Sequence, residues 1–117
     1  MITKIYHSFL FAWNGLQTTW KEEQNFRIEI LVGVVVVFCI LFFQFSFIET
    51  VLSVIAIAVV LTAEIINTAI EDLCNKVEPQ HDFVIGKIKD TMAAFVLISV
   101  LGAAIVGFMV FYNHFLV

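Results

Sequence analysis

Three long apolar stretches constrain this chain more than anything else in it. The first covers residues 30–43 without a charge and continues past Gln44 to Ile48. The second covers 51–63, with Ser53 and Thr62 its only polar members, and runs on as a helical pattern through Glu64, Asn67 and Glu71. The third extends from Met92 to about Tyr112, with Ser99 its only hydroxyl before Tyr112. A spanning helix needs about 20 mostly apolar residues, and each stretch reaches that once its ends are included. A transmembrane barrel would need many alternating segments of about ten residues. These runs are continuous and too few, and the chain holds a single proline, Pro79. Lipid offers the backbone no hydrogen bonds, so helices remain.

Composition agrees. Of 117 residues 62% are apolar and 14% charged, against roughly 45–50% and about 25% in soluble domains. A single domain of this size could not hide that much apolar surface from water. Disordered, collagen-like and disulfide-stapled chains are excluded. The net charge of −4 gives no basic field for nucleic acid. Cys39 lies in an apolar run and Cys74 near a polar loop, which reads as two unpaired thiols.

The expected fold is an all-α membrane protein forming one domain over 1–117. It has a surface helix at about 1–22 and spans at about 28–48, 50–73 and 88–113. Ser46 and Glu49 have the spacing of a capping box, which starts the second span after a very tight turn. The polar segment 75–86, with Pro79, is the main loop. Near the N-terminus, Ile2, Ile5, Tyr6, Phe9, Trp13, Leu16 and Trp20 recur at helical spacing, with polar residues between them. That pattern is an amphipathic helix lying in the membrane interface. Its interrupted apolar run, with no small-residue cleavage site after it, is unlike a signal peptide. Lys4, Lys21 and Arg27 precede the first span, and Lys76, Lys87 and Lys89 lie between the second and third. The positive-inside rule puts the N-terminus and the 75–89 loop in the cytoplasm and the C-terminus outside.

The charges gather at one boundary. Glu64, Asn67 and Glu71 stand at i, i+3 and i+7 and share a helix face. A helix starting near Phe47 reaches the inner boundary near position 66, about 20 residues on. Glu64 is then just inside the hydrocarbon, Asn67 at its edge and Glu71 in water. An ionised carboxylate at mid-span costs about 2.5–3.5 kcal/mol, less near the edge, so Glu64 needs a partner or a proton. Glu22, Glu23, Arg27 and Glu29 precede the first span, and Lys89, Asp90 and Thr91 precede the third. Carboxylates without His or Cys clusters suit Mg²⁺, which keeps phosphate oxygens and waters as its other ligands. A lysine beside it suits phosphate. A half-submerged carboxylate can deprotonate a lipid hydroxyl. Together these residues describe phosphoryl transfer onto a lipid. Gly86-Lys87 lacks the upstream glycine and following hydroxyl of a Walker A loop. His7, His81 and His114 are scattered and read as surface or interfacial.

The stretch from Glu64 through Asn67 to Glu71 resembles the signature of small bacterial integral-membrane lipid kinases, the prokaryotic diacylglycerol kinase and undecaprenol kinase family. Two more blocks carry the resemblance: Gly86-Lys-Ile-Lys89-Asp90 with Ala93-Ala94, and Trp20-Lys-Glu-Glu23 with Phe26-Arg27. It extends from about Phe9 to the last span. The resemblance implies a homotrimer in a bacterial inner membrane, with ATP as donor, Mg²⁺ as cofactor and a lipid alcohol as acceptor. Active sites would be shared between neighbouring subunits at the cytoplasmic boundary. By resemblance Glu64 is the general base, and Glu23 and Glu71 hold the metal. Asn67, Glu71, Lys89 and Asp90 meet the nucleotide, and Trp20, Phe26, Arg27 and Glu29 line the lipid entrance with Glu64. Asn75 departs from the family, which usually has an aspartate there. Phe11 and Ala12 depart where some members present Tyr and Ser, and the loop 78–82 differs around His81. Diacylglycerol and undecaprenol both remain open as substrates.

A different class of function is a small transporter or channel subunit using Glu64 as an ion or proton site. Transporters normally carry inverted repeats or helices broken at mid-membrane, and neither is present. A purely structural subunit leaves unexplained the carboxylates at all three cytoplasmic helix ends.

Overall fold

A computed structural model describes all 117 residues. It contains four helices: α1 (Ile2–Glu22), α2 (Gln24–Phe42), α3 (Phe47–Val77) and α4 (Phe83–Phe115). The last three are long and apolar enough to cross a membrane. At 1.5 Å per residue α2 is about 28 Å long, α3 about 46 Å and α4 about 50 Å. A hydrocarbon layer is about 30 Å thick, so α3 and α4 project beyond it.

Packing is inverted relative to a soluble domain. Only ten residues are buried, and five of them are polar: Thr19, Glu49, Ser53, Glu64 and Thr68. Large apolar side chains cover the outside, among them Leu31, Phe38, Phe42, Ile98 and Phe108. Water would not tolerate that surface; lipid does. The hydroxyls of Thr19, Ser53 and Thr68 turn back to the carbonyls of Gly15, Glu49 and Glu64 at 2.8–2.9 Å, so none is left unbonded.

α3 is the central element. It packs along α4 and against α2, and α1 meets both α2 and α3. The backbones of α2 and α4 do not approach each other closely. Between them lies a mostly apolar groove of about 580 Å³, floored by α3. Gly33 sets the approach of α2 to α3, because a Cβ there would stand 3.3 Å from Ile57 Cγ2.

The connections follow local chemistry. A single extended residue, Glu23 (φ −117°, ψ 111°), separates α1 from α2. Its side chain caps neither helix, which leaves the carboxylate free for other contacts. α2 stops at Phe42 although the apolar run continues to Ile48. Gln44 takes a left-handed conformation (φ 54°), and the Phe45 N–H donates to Ile40 O at 3.2 Å. That is a Schellman stop with glutamine where glycine is usual. The Ser46–Glu49 capping box forms as the spacing predicts: Glu49 N–H donates to Ser46 Oγ at 3.2 Å, and Ser46 N–H to Glu49 Oε1 at 2.8 Å. Asp82 caps α4 by accepting from Val84 N–H and Ile85 N–H.

His114, read from the sequence as surface or interfacial, has a definite partner at this end. Its Nδ1 lies 3.0 Å from Glu49 Oε1, and its ring lies against Phe45 with centroids 4.8 Å apart. Asn113 Nδ2 donates to the other Glu49 oxygen at 3.1 Å. The reason is burial: Glu49 is 5% exposed, and a buried carboxylate must be hydrogen-bonded. α4 supplies those partners.

Candidate active site

The opposite end of α3 carries the polar stripe Glu64, Asn67, Glu71 and Asn75. Helical spacing aligns them on one face, about 16 Å from first to last. Glu64 is 1% exposed, and its Oε2 has no hydrogen-bond partner. Glu29, one helix away on α2, also has a buried Oε2 without a partner, and it lines the groove between α2 and α4. Native interiors rarely leave such atoms unbonded, so these two oxygens mark a place where a ligand would bind.

The junction of α1 and α2 faces the next turn of the stripe. Here two adjacent acidic residues, Glu22-Glu23, meet another pair, Glu71-Asp72. With a proton held between them, Glu23 can hydrogen-bond Glu71, and Glu22 can hydrogen-bond Asp72. The Glu23 carboxyl is pushed up to about 7 by burial first, then by the bond to Glu71 and the negative charges of Glu71, Glu64 and Glu22. The Glu22 carboxyl is also raised, chiefly through its bond to Asp72. Carboxyl groups forced together this way either share protons or take up a cation.

No three His, Cys, Asp or Glu side chains form a ready-made metal cage. The Glu23–Glu71 pair nonetheless fits a magnesium ion, which usually takes one or two carboxylates and draws its other ligands from phosphate and water.

Lys89 reaches across from α4, and its Nζ donates to Asn75 Oδ1 at 2.8 Å. Asp90 does not join it. Asp90 lines a separate, outward-opening hollow at the start of α4 with His81, Asp82 and Lys87. Phe26 is buried at 1% exposure. Trp20 and Arg27 are exposed, and Arg27 has no carboxylate within ion-pair distance. One chain therefore brings together Glu23, Glu29, Glu64, Asn67 and Glu71, and separately Lys89 with Asn75. Sequence reasoning did not find the role of Asp72, nor Asn75 as a partner of Lys89. The first had a visible signal, the matching acidic doublets 22–23 and 71–72. The second had none, because it depends on how α4 packs on α3.

Comparison with known proteins bears on this geometry. The family model described as prokaryotic diacylglycerol kinase matches residues 10–111. The diacylglycerol kinase of Escherichia coli K12 is 28% identical over 113 residues, covering 97% of this chain and 93% of its own. The undecaprenol kinase of Bacillus subtilis 168 is 26% identical over 110 residues, covering 94% and 89%. The diacylglycerol kinase of Haemophilus influenzae is 25% identical over 98 residues, covering 84% and 83%. The matched region takes in the α1–α2 junction, the stripe on α3 and Lys89 on α4. With three apolar spanning helices and a match over most of its length, the chain belongs to the prokaryotic diacylglycerol kinase family and is a membrane lipid kinase.

Proposed function

We propose that this enzyme transfers the γ-phosphate of ATP to the primary hydroxyl of a lipid alcohol at the cytoplasmic boundary of a bacterial inner membrane. The observation that carries the reading is Glu64. It is a buried carboxylate with an unpartnered oxygen, two turns along α3 from Glu71, the residue that faces Glu23. In this reading Glu64 accepts the hydroxyl proton as the lipid oxygen attacks the γ-phosphorus. The bond to the bridging oxygen breaks, and ADP leaves with that electron pair. Glu29 flanks the lipid at the groove, which the buried Phe26 does not line, with Trp20 and Arg27 toward its headgroup.

Glu23 and Glu71 would hold Mg²⁺, which when bound neutralises the phosphate oxygens of ATP. Asn67 sits beside Glu64 and, with Lys89 and Asp90, orients the nucleotide. Asp90 faces away from its own chain's stripe, which supports a site completed by a neighbouring subunit in a homotrimer. α1, with Trp13 and Trp20 exposed, lies in the interface, and the positive-inside rule sets the N-terminus in the cytoplasm.

The test is phosphate transfer from labelled ATP by the purified protein in mixed micelles. It is run with Mg²⁺ or with EDTA, and with diacylglycerol or undecaprenol offered separately. Metal-dependent labelling of one lipid is the expected result and identifies the substrate. Labelling of neither by folded protein overturns the reading.

A further inference from the structure

The chain has ten acidic side chains, yet its only ion pair is Glu49 with His114, far from the polar stripe. Lys89 therefore has no carboxylate within ion-pair distance. Its one side-chain partner is the neutral amide of Asn75, at 2.8 Å. The ammonium can only donate, so the amide atom facing it is Oδ1. With Oδ1 already accepting from the ammonium, the pair is left with mostly donors, the Asn75 NH₂ and the remaining ammonium N–H bonds, against a single further lone pair on Oδ1. A carboxylate at 75 would hold the ammonium equally well but cancel its charge. The amide holds it and leaves the charge intact.

Position adds to this. Asn75 stands four residues past Glu71, about 6 Å further along α3 and away from Glu64. The donor cluster therefore lies beyond the metal-binding pair, on the side opposite the base. We infer that Asn75 is a positioning residue that presents the uncancelled charge of Lys89 to the phosphates retained by the leaving nucleoside diphosphate, not to the phosphate transferred. This inference rests on the phosphoryl-transfer reading above and assigns Asn75 a role in it.

The experiment measures ATP and ADP dissociation constants directly, alongside KM and kcat, for the wild type, Asn75→Asp, Asn75→Ala, Lys89→Ala and the double variant N75A/K89A. Asn75→Asp keeps an acceptor for Lys89 and so keeps the fold. It is expected to weaken ATP and ADP to similar extents, each roughly tenfold, as for one lost charge-assisted contact. The lipid KM and the kcat at saturating ATP are expected to stay within about twofold of wild type. In the Lys89→Ala background, Asn75→Ala is expected to add nothing further, because its effect runs through the lysine. Wild-type nucleotide affinity in Asn75→Asp overturns the inference. So does an Asn75→Ala loss that is the same with and without Lys89, or a loss seen for ATP alone. A wild type that binds nucleotide but phosphorylates neither lipid removes the kinase reading, while the binding constants still decide the role of Asn75. A wild type that binds no nucleotide overturns both.

Discussion

Glu49 on α3 and His114 on α4 meet at 3.0 Å and join the end of the bundle remote from the carboxylate stripe. Asn113 and the Ser46 backbone N–H bind the same carboxylate, so one buried group both caps α3 and ties down the C-terminal turn of α4. Replacing Glu49 with Ala is expected to lower the unfolding midpoint in detergent by several degrees. Ser46→Ala, which removes only half the capping box, costs about 1 kcal/mol. Phosphate transfer measured well below the midpoint stays at the wild-type rate in both, because neither residue reaches the stripe.

Glu64→Gln preserves shape and burial but removes the proposed proton acceptor. It is expected to retain the wild-type melting temperature and to lose activity by about 10²–10⁴-fold, the usual range for a general base. Comparison of single-turnover phosphate transfer with ATP binding separates the two roles, since nucleotide affinity is expected to persist.

The Glu23 carboxyl gives the metal-free protein a pH dependence of definite sign. Its folded value is about 7, against an ordinary value of 4.5. Folding therefore takes up a proton between those limits, and a proton favouring the folded state makes stability fall as pH rises. For EDTA-treated protein the unfolding midpoint is expected to decline from pH 4.5 to pH 7 and to level off above. Glu23→Gln removes part of that decline. A wild-type midpoint that rises across the same interval contradicts the carboxyl contact between Glu23 and Glu71.

Gln44 holds a left-handed conformation (φ 54°) that glycine adopts without a Cβ penalty. Gln44→Gly is expected to stabilise the protein by about 0.5–1 kcal/mol, read as a raised unfolding midpoint. Activity is unaffected, since the turn lies at the far end of α3 from Glu64.

Much of this was legible in the chain. Uninterrupted apolar runs announce spanning helices because lipid demands complete backbone hydrogen bonding. Ser46 and Glu49 announced their capping box because its bonds are local. The i, i+3, i+7 spacing placed Glu64, Asn67 and Glu71 on one face. Contacts made between helices were not legible. Glu49 with His114, 65 residues apart, and Lys89 with Asn75 depend on the register of α4 against α3, which periodicity does not encode. The end of α2 was hidden for another reason. Gln44 sits in an apolar run with no glycine or proline to mark the stop, and only the backbone reveals it.

α3 runs unbroken from the Ser46 cap to Val77. Glu64 lies 18 residues beyond that cap, about 27 Å along the axis. In the proposed orientation the helix works as a ruler fixed at one membrane surface and read at the other. The immersion of the proposed base would then be set by the distance between the two leaflets, with a thicker bilayer drawing Glu64 deeper and a thinner one lifting it toward water.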